Sequence, residues 1–275
     1  MFRVIVKNHI RMGKNRWIIS EAILLLVAIE FMYSYSGELS KKGIDPLFWD
    51  YIIDSLINSF FIIVIIPILY VIITGSLFAD DIENGIITSY ISRANNRFEY
   101  FISVLGLMLI SAIVLTLLFL VNLVIVALVA GMAITDNTNY HLIDGAYKLG
   151  QNIWLLLITQ ISIVSLGITS IGVICNVVAL FIRKFKCEII IIMLLLYQGG
   201  EAYFHNRKMV KYSLIAQMKL DIHYPYILYH PTDKVLTPEE YVSVMYCYSV
   251  FIGVILIFGL IGYLYITRSD INRRQ

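Results

Sequence analysis

The stretch from Tyr100 to Gly131, YFISVLGLMLISAIVLTLLFLVNLVIVALVAG, contains no Asp, Glu, Lys or Arg. At about 1.5 Å per residue, a helix of this length exceeds the roughly 30 Å hydrocarbon core of a bilayer. A backbone in lipid has no water to bond, so a continuous apolar run must close its hydrogen bonds within itself as an α-helix. A strand of a membrane barrel would alternate apolar and polar residues instead. Working outward, comparable runs lie at 17–36, 52–78, 151–182, 186–200 and 243–267, and 186–200 is the short one. Six spans are expected.

Composition agrees. Hydrophobic residues make up 59% of the chain and charged residues 15%, with a mean hydropathy of +0.81, whereas a soluble domain carries about 25% charged residues. The net charge of +2 is too small to imply a nucleic-acid partner. Cys175, Cys187 and Cys247 are odd in number and lie in or beside apolar runs, so they read as small apolar fillers rather than a disulfide framework. No small-residue cleavage site follows the first apolar run, which is expected to remain as a span. The expected fold is all-α and polytopic, a single transmembrane domain over residues 1–275.

Basic residues set the orientation. Arg3, Lys7, Arg11, Lys14, Arg16, Arg93, Arg97, Arg183, Lys184, Lys186, Arg268, Arg273 and Arg274 fall on one side of the expected spans. Lys41, Lys42, Lys148, Arg207, Lys208, Lys211, Lys219 and Lys234 fall on the other, five of them in one long loop. The positive-inside rule weighs short loops most, which places both termini in the cytoplasm. Before the first span, Arg3, Lys7, Arg11 and Lys14 recur at steps of four and three, while Phe2, Val6, Ile10 and Trp17 occupy another face. That spacing predicts an amphipathic interfacial helix over 1–16; the plainer alternative is a run of cytoplasmic charges without fixed structure. Pro67 is expected to kink the second span or loosen one of its turns, because it removes a backbone donor. The segment 200–242 is too polar for another crossing and is expected outside, partly dipping back. Near its end, Thr237, Pro238, Glu239 and Glu240 form a capping-box pattern that starts the last helix.

The segment with the most to say about function is the loop between the second and third spans, Phe78-Ala-Asp-Asp-Ile-Glu-Asn-Gly85 and on through Arg93 to Arg97. It is acidic first and basic last, the order that suits a short helix whose N-terminal end is positive and C-terminal end negative. A helix held along the membrane there can dock on a soluble partner and pass force into two spans; an ordinary polar loop is the plainer alternative. The pattern resembles the permease subunits of type-2 ABC exporters, whose loop carries an aromatic, two acidic residues, a glycine, an apolar stretch, then proline and a serine-arginine pair. Phe78, Asp81, Glu83, Gly85 and Arg97 match it in spacing. Ile86 stands where threonine is usual, Ala94 where proline is, and Asn96 where serine is. The layout is similar too: interfacial N-terminal helix, six spans, coupling helix after the second, and a long outward segment with re-entrant helices before the sixth.

That resemblance implies division of labour. The chain holds no G-x-x-x-x-G-K-[ST] phosphate-binding loop, so ATP and Mg would be bound by separate ABC ATPase subunits docking on the 79–97 coupling loop. This chain would bind no cofactor itself, would not be an enzyme, and would pair with a second permease copy or paralogue in the cell membrane of a bacterium. The implied cargo is hydrophobic or amphipathic, such as a peptide toxin or an antimicrobial peptide. Glu30 lies well inside the first span, and a carboxylate in hydrocarbon usually faces the bundle interior, a polar partner or a water-filled path. Its expected neighbours are Asp54 and Asn58, four apart on the second span. Together they would line the outward half of the path; alternatively Glu30 is protonated or bonded within the bundle and serves packing. His205, His223 and His230 match no compact metal-ligand motif, so no metal is expected. Two other functions fit a chain of this kind: a non-transporting membrane partner that regulates an ATPase, and an ion-coupled carrier using Glu30 and Asp54. The carrier is disfavoured by the lack of an inverted repeat.

Overall fold

A computed structural model describes residues 2–43, 45–74, 77, 78, 81, 97–135, 152–182, 187–223 and 242–268. Its long elements are α1 (Phe2–Lys42), α2 (Phe48–Ile57), α3 (Ile66–Thr74), α4 (Arg97–Val129), α5 (Ile153–Phe181), α6 (Cys187–Gly200) and α7 (Val244–Arg268). Every secondary-structure element among the described residues is helical, and the one extended pairing is a bridge between Leu47 and Ala133. Gly13–Lys41 within α1, together with α4, α5 and α7, are each long and apolar enough to cross a membrane. α2 and Phe61–Thr74, bent by 44°, make a fifth when counted as one span. The protein is an all-α, multi-pass membrane protein.

Side-chain contacts define two ends of the bundle. At one end lie Thr74 of α3, Phe78, the first turn of α4, Asn176 near the end of α5 and the last turn of α7. At the other, Phe48 N–H donates to Ala133 O (3.1 Å), and Trp49 meets Trp154 edge-on at 5.2 Å. Gly131 turns the chain after α4 with φ +70°, a conformation that favours glycine, and Met132 N–H then reaches back to Ala127 O (3.1 Å). Asn152 caps α5 by accepting from Leu155 N–H at 2.9 Å.

Two expected boundaries need correction. The first helix does not end at Ser36: α1 runs to Lys42, because Ser-Gly-Glu-Leu-Ser-Lys-Lys offers no proline to stop it and is closed only by Gly43 with φ +66°. The expected 1–16 interfacial helix and first span are also one continuous helix, but a curved one. Phe31 packs on Phe119 (6.3 Å between rings), while a Cβ on Gly106 would lie 3.4 Å from the Phe2 ring. Along a straight helix Phe2 would stand about 44 Å from Phe31, yet Gly106 is only about 20 Å from Phe119. The first turns must therefore run back across the Thr74 end of the bundle, where Ile5 is buried with Phe78, Tyr100 and Phe101.

The expected second span is broken higher than its proline suggested. α2 ends at Asn58, whose Oδ1 accepts from Phe60 N–H (2.9 Å) and Phe61 N–H (3.4 Å) and so restarts the helix. A π-helical turn, Phe61–Ile65, follows, and Pro67 sits just beyond it in α3. The wide turn ahead of the proline is the loosening that its missing donor calls for. Phe61 stacks on Phe119 at 3.8 Å and fastens the restarted helix to α4.

α5 is the central post, and small residues let its neighbours close on it. A Cβ on Gly172 would lie 2.4 Å from Tyr70 Cε1, and Tyr70 cannot retreat because its hydroxyl donates to Met108 O (2.9 Å). Gly172→Ala is therefore expected to cost about 1–3 kcal/mol through overpacking and to lower the thermal midpoint of the detergent-purified protein. An unchanged midpoint would mean that α3 slides freely on α5.

Candidate functional site

Three of the five loop residues singled out by resemblance are described, and each is anchored. Phe78 is fully buried and stacks on Phe101 (5.5 Å, 3° between planes). Asp81 Oδ2 accepts from the Tyr100 hydroxyl at 2.7 Å. Arg97 Nη1 donates to Ile266 O (3.0 Å) and Thr267 O (2.7 Å). Those carbonyls lie in the last turn of α7, where a helix leaves acceptors without intrahelical donors and favours a cation. The segment from Phe78 to Arg97 is thus clamped at one end to α4 and at the other to the terminus of α7. Glu83 and Gly85 lie outside the described residues, as do Ile86, Arg93, Ala94 and Asn96.

Asn176, which sequence reasoning passed over, organises the entry to this segment. It is fully buried in α5. Its Nδ2 donates to Thr74 O (2.5 Å), the last residue of α3, and to Gly172 O (3.0 Å), while its Oδ1 accepts from Phe78 N–H (3.2 Å). One amide satisfies an acceptor and a donor that the end of α3 would otherwise strand. The available signal was an amide inside an uncharged run, one of two in α5 with Gln160, which lipid makes costly unless it is bonded.

A second polar cluster lies at the break between α2 and α3, where the chain after α6 folds back into the bundle. After a π turn (Glu201–His205) come short 3-10 turns at Arg207–Tyr212, Ala216–Met218 and Leu220–His223, and residues 215–223 are all buried. Met218 reaches the middle of α5, where a Cβ on Gly167 would lie 2.4 Å from its Cγ. These residues pack against α5; 224–241, including the Thr237–Glu240 capping pattern, lie outside the described ones. Breaking the second span frees the Leu56 carbonyl, and Gln160 Nε2 of α5 donates to it (3.1 Å) and to Met218 O (3.4 Å). Lys219 Nζ donates to Ser59 Oγ (2.6 Å) and to the Tyr203 hydroxyl (2.8 Å). That hydroxyl donates to Asp221 Oδ2 (2.5 Å), which lies 3.6 Å from Lys219 Nζ. The charge on Lys219 is accepted in a buried place because three oxygens meet it.

Glu30 is exposed on the surface of the single chain, since the neighbouring positions Leu24, Val27, Ala28 and Phe31 take the face that packs. Asp54 is half-buried. Asn58 is committed to restarting the helix. His205 is exposed and 3.8 Å from Glu201. The His223 ring nitrogens face Val242 O (2.7 Å) and Gln217 O (2.8 Å); burial pulls its pKa below the usual range against the upward pull of both carbonyls and of Asp221. Among the described residues no three His, Cys, Asp or Glu side chains are placed to share a metal. Cys175 and Cys247 are buried and not disulfide-bonded, as fillers should be.

A family model described as "Protein of unknown function (DUF2705)" matches residues 13–272, and the chain belongs to that family. No curated protein and no solved structure matches it.

Proposed function

We propose that this member of the family is the membrane subunit of an ATP-driven exporter of the type-2 ABC kind. It has six spans with both termini cytoplasmic, and works with separate ATPase subunits and a second permease copy or paralogue in the cytoplasmic membrane of a bacterium. The observation that carries this reading is the clamping of the 78–97 segment through Phe78, Asp81 and Arg97. A push on that segment from a docked ATPase is delivered to α4, α5 and α7 at once, which is what coupling requires. Short α6 would serve as the fifth span, extended by the π turn to His205. The cargo is hydrophobic or amphipathic, with a peptide toxin or antimicrobial peptide as the leading candidates. The exposed Glu30 supports a path running between copies, because a carboxylate left in lipid is costly and one facing a second subunit or a water-filled path is not.

The test is coexpression with an ABC ATPase whose gene is found beside that of this chain. ATP hydrolysis stimulated by cargo is expected, and Asp81→Ala, Glu83→Ala or Gly85→Val should leave hydrolysis running while export falls at least tenfold. Purification without any ATPase sinks the reading. An ATPase that binds and is regulated, with no cargo moved, would instead make the chain a non-transporting partner.

A further inference from the structure

The N-terminal turns of α1 carry cations and no acid: the first acidic residue of the chain is Glu21. Ile5 is buried in the cluster that holds Phe78, Tyr100 and Phe101. Phe2 reaches the level of Gly106, about two and a half turns above the start of α4. The apolar positions thus pin this stretch across the end of the bundle, and Arg3, Lys7 and Lys14 are left exposed along it. A helix lying across the end of a membrane bundle, with an apolar residue sunk and its cations outward, meets lipid headgroups before anything else.

We propose that the exposed cations of this stretch form a binding surface for anionic phospholipid headgroups. Complementarity of charge selects the partner: zwitterionic headgroups present an ammonium beside each phosphate and offset the attraction, whereas anionic ones do not. Each engaged Lys or Arg enriches anionic lipid about fivefold over bulk. Because Ile5 shares its packing with Phe78, lipid bound here also steadies the point at which the 78–97 segment leaves the bundle.

The full chain with Trp49→Phe and Trp154→Phe keeps Trp17 as its only tryptophan, since the sequence has three. Trp17 is half-buried and follows Lys14 and Arg16. In vesicles of phosphatidylcholine carrying a minor fraction of brominated phosphatidylglycerol, Trp17 should be quenched as if that lipid were enriched at least fivefold. Arg3→Gln with Lys7→Gln should return quenching to the bulk ratio, and about 1 M salt should do so with all cations in place. The salt arm decides the matter if the substituted chain fails to insert. Equal quenching by brominated phosphatidylcholine, or enrichment that ignores both salt and the two substitutions, overturns the proposal. So does selectivity that appears only after an ATPase subunit is added, which would assign the face to a protein. None of these outcomes depends on whether the chain exports anything.

Discussion

Asn176→Leu is expected to destabilise the bundle by about 3–5 kcal/mol, since each buried polar group left without a partner costs about 1–3 kcal/mol. Leucine keeps the volume and removes both functions of the amide, stranding Thr74 O and Phe78 N–H in an interior with no water. Asn176→Asp should fall between, because a carboxyl still accepts from Phe78 N–H but, when ionised, cannot donate to Thr74 O. The measurement is the thermal midpoint of the monodisperse protein in detergent. If leucine leaves that midpoint unchanged, the end of α3 is not held as described. Near-normal stability of Asn176→Asp with loss of coupled hydrolysis would show that the amide matters for transmitting motion more than for packing.

Lys219→Met should be similarly damaging, by about 3–5 kcal/mol, because it leaves the Asp221 carboxylate buried without its cation. A second substitution separates charge from shape. Lys219→Met combined with Asp221→Leu removes both charges, and buried ion pairs replaced by apolar residues of similar size are often neutral or stabilising. The double variant should therefore recover most of the loss. If it is as unstable as the single one, Lys219 acts chiefly through Ser59 and Tyr203, holding the folded-back segment at the break in the second span. A single variant with no loss would mean that Asp221 takes up a proton or reaches water.

Much of this architecture was legible from local chemistry. Uncharged runs such as 100–131 and 151–182 became α4 and α5 within two or three residues of their expected limits, because lipid forces each such run to satisfy its own backbone. The wide turn before Pro67 followed from one missing donor, and buried Cys175 and Cys247 from their apolar surroundings. The spacing of Phe78, Asp81 and Arg97 marked a segment whose ends are held. It did not name their partners: Phe101 and Tyr100 are near in sequence, but Ile266 and Thr267 lie across the whole chain.

What only the tertiary structure decided are matters of which groups meet across helices. Glu30 was placed inside the first span by its position, yet its direction depends on which stripe of α1 packs on α4, and the packed stripe excludes it. The break at Asn58 depends on Gln160, more than a hundred residues on, to take the carbonyl it frees. The residues from Ile215 to His223 read as polar loop because they hold Gln, Lys, Asp and His; Lys219 and Asp221 are buried because Ser59 and Tyr203 meet them from other elements, and His223 because Val242 O meets its ring, while Gln217 Nε2 is met by Lys211 O nearby. Hydropathy, summed along a chain, registers the cost of burying such groups but not the donors and acceptors that offset it, and so it marked the long apolar helices while leaving the folded-back segment and its Lys219–Asp221 cluster to the three-dimensional packing.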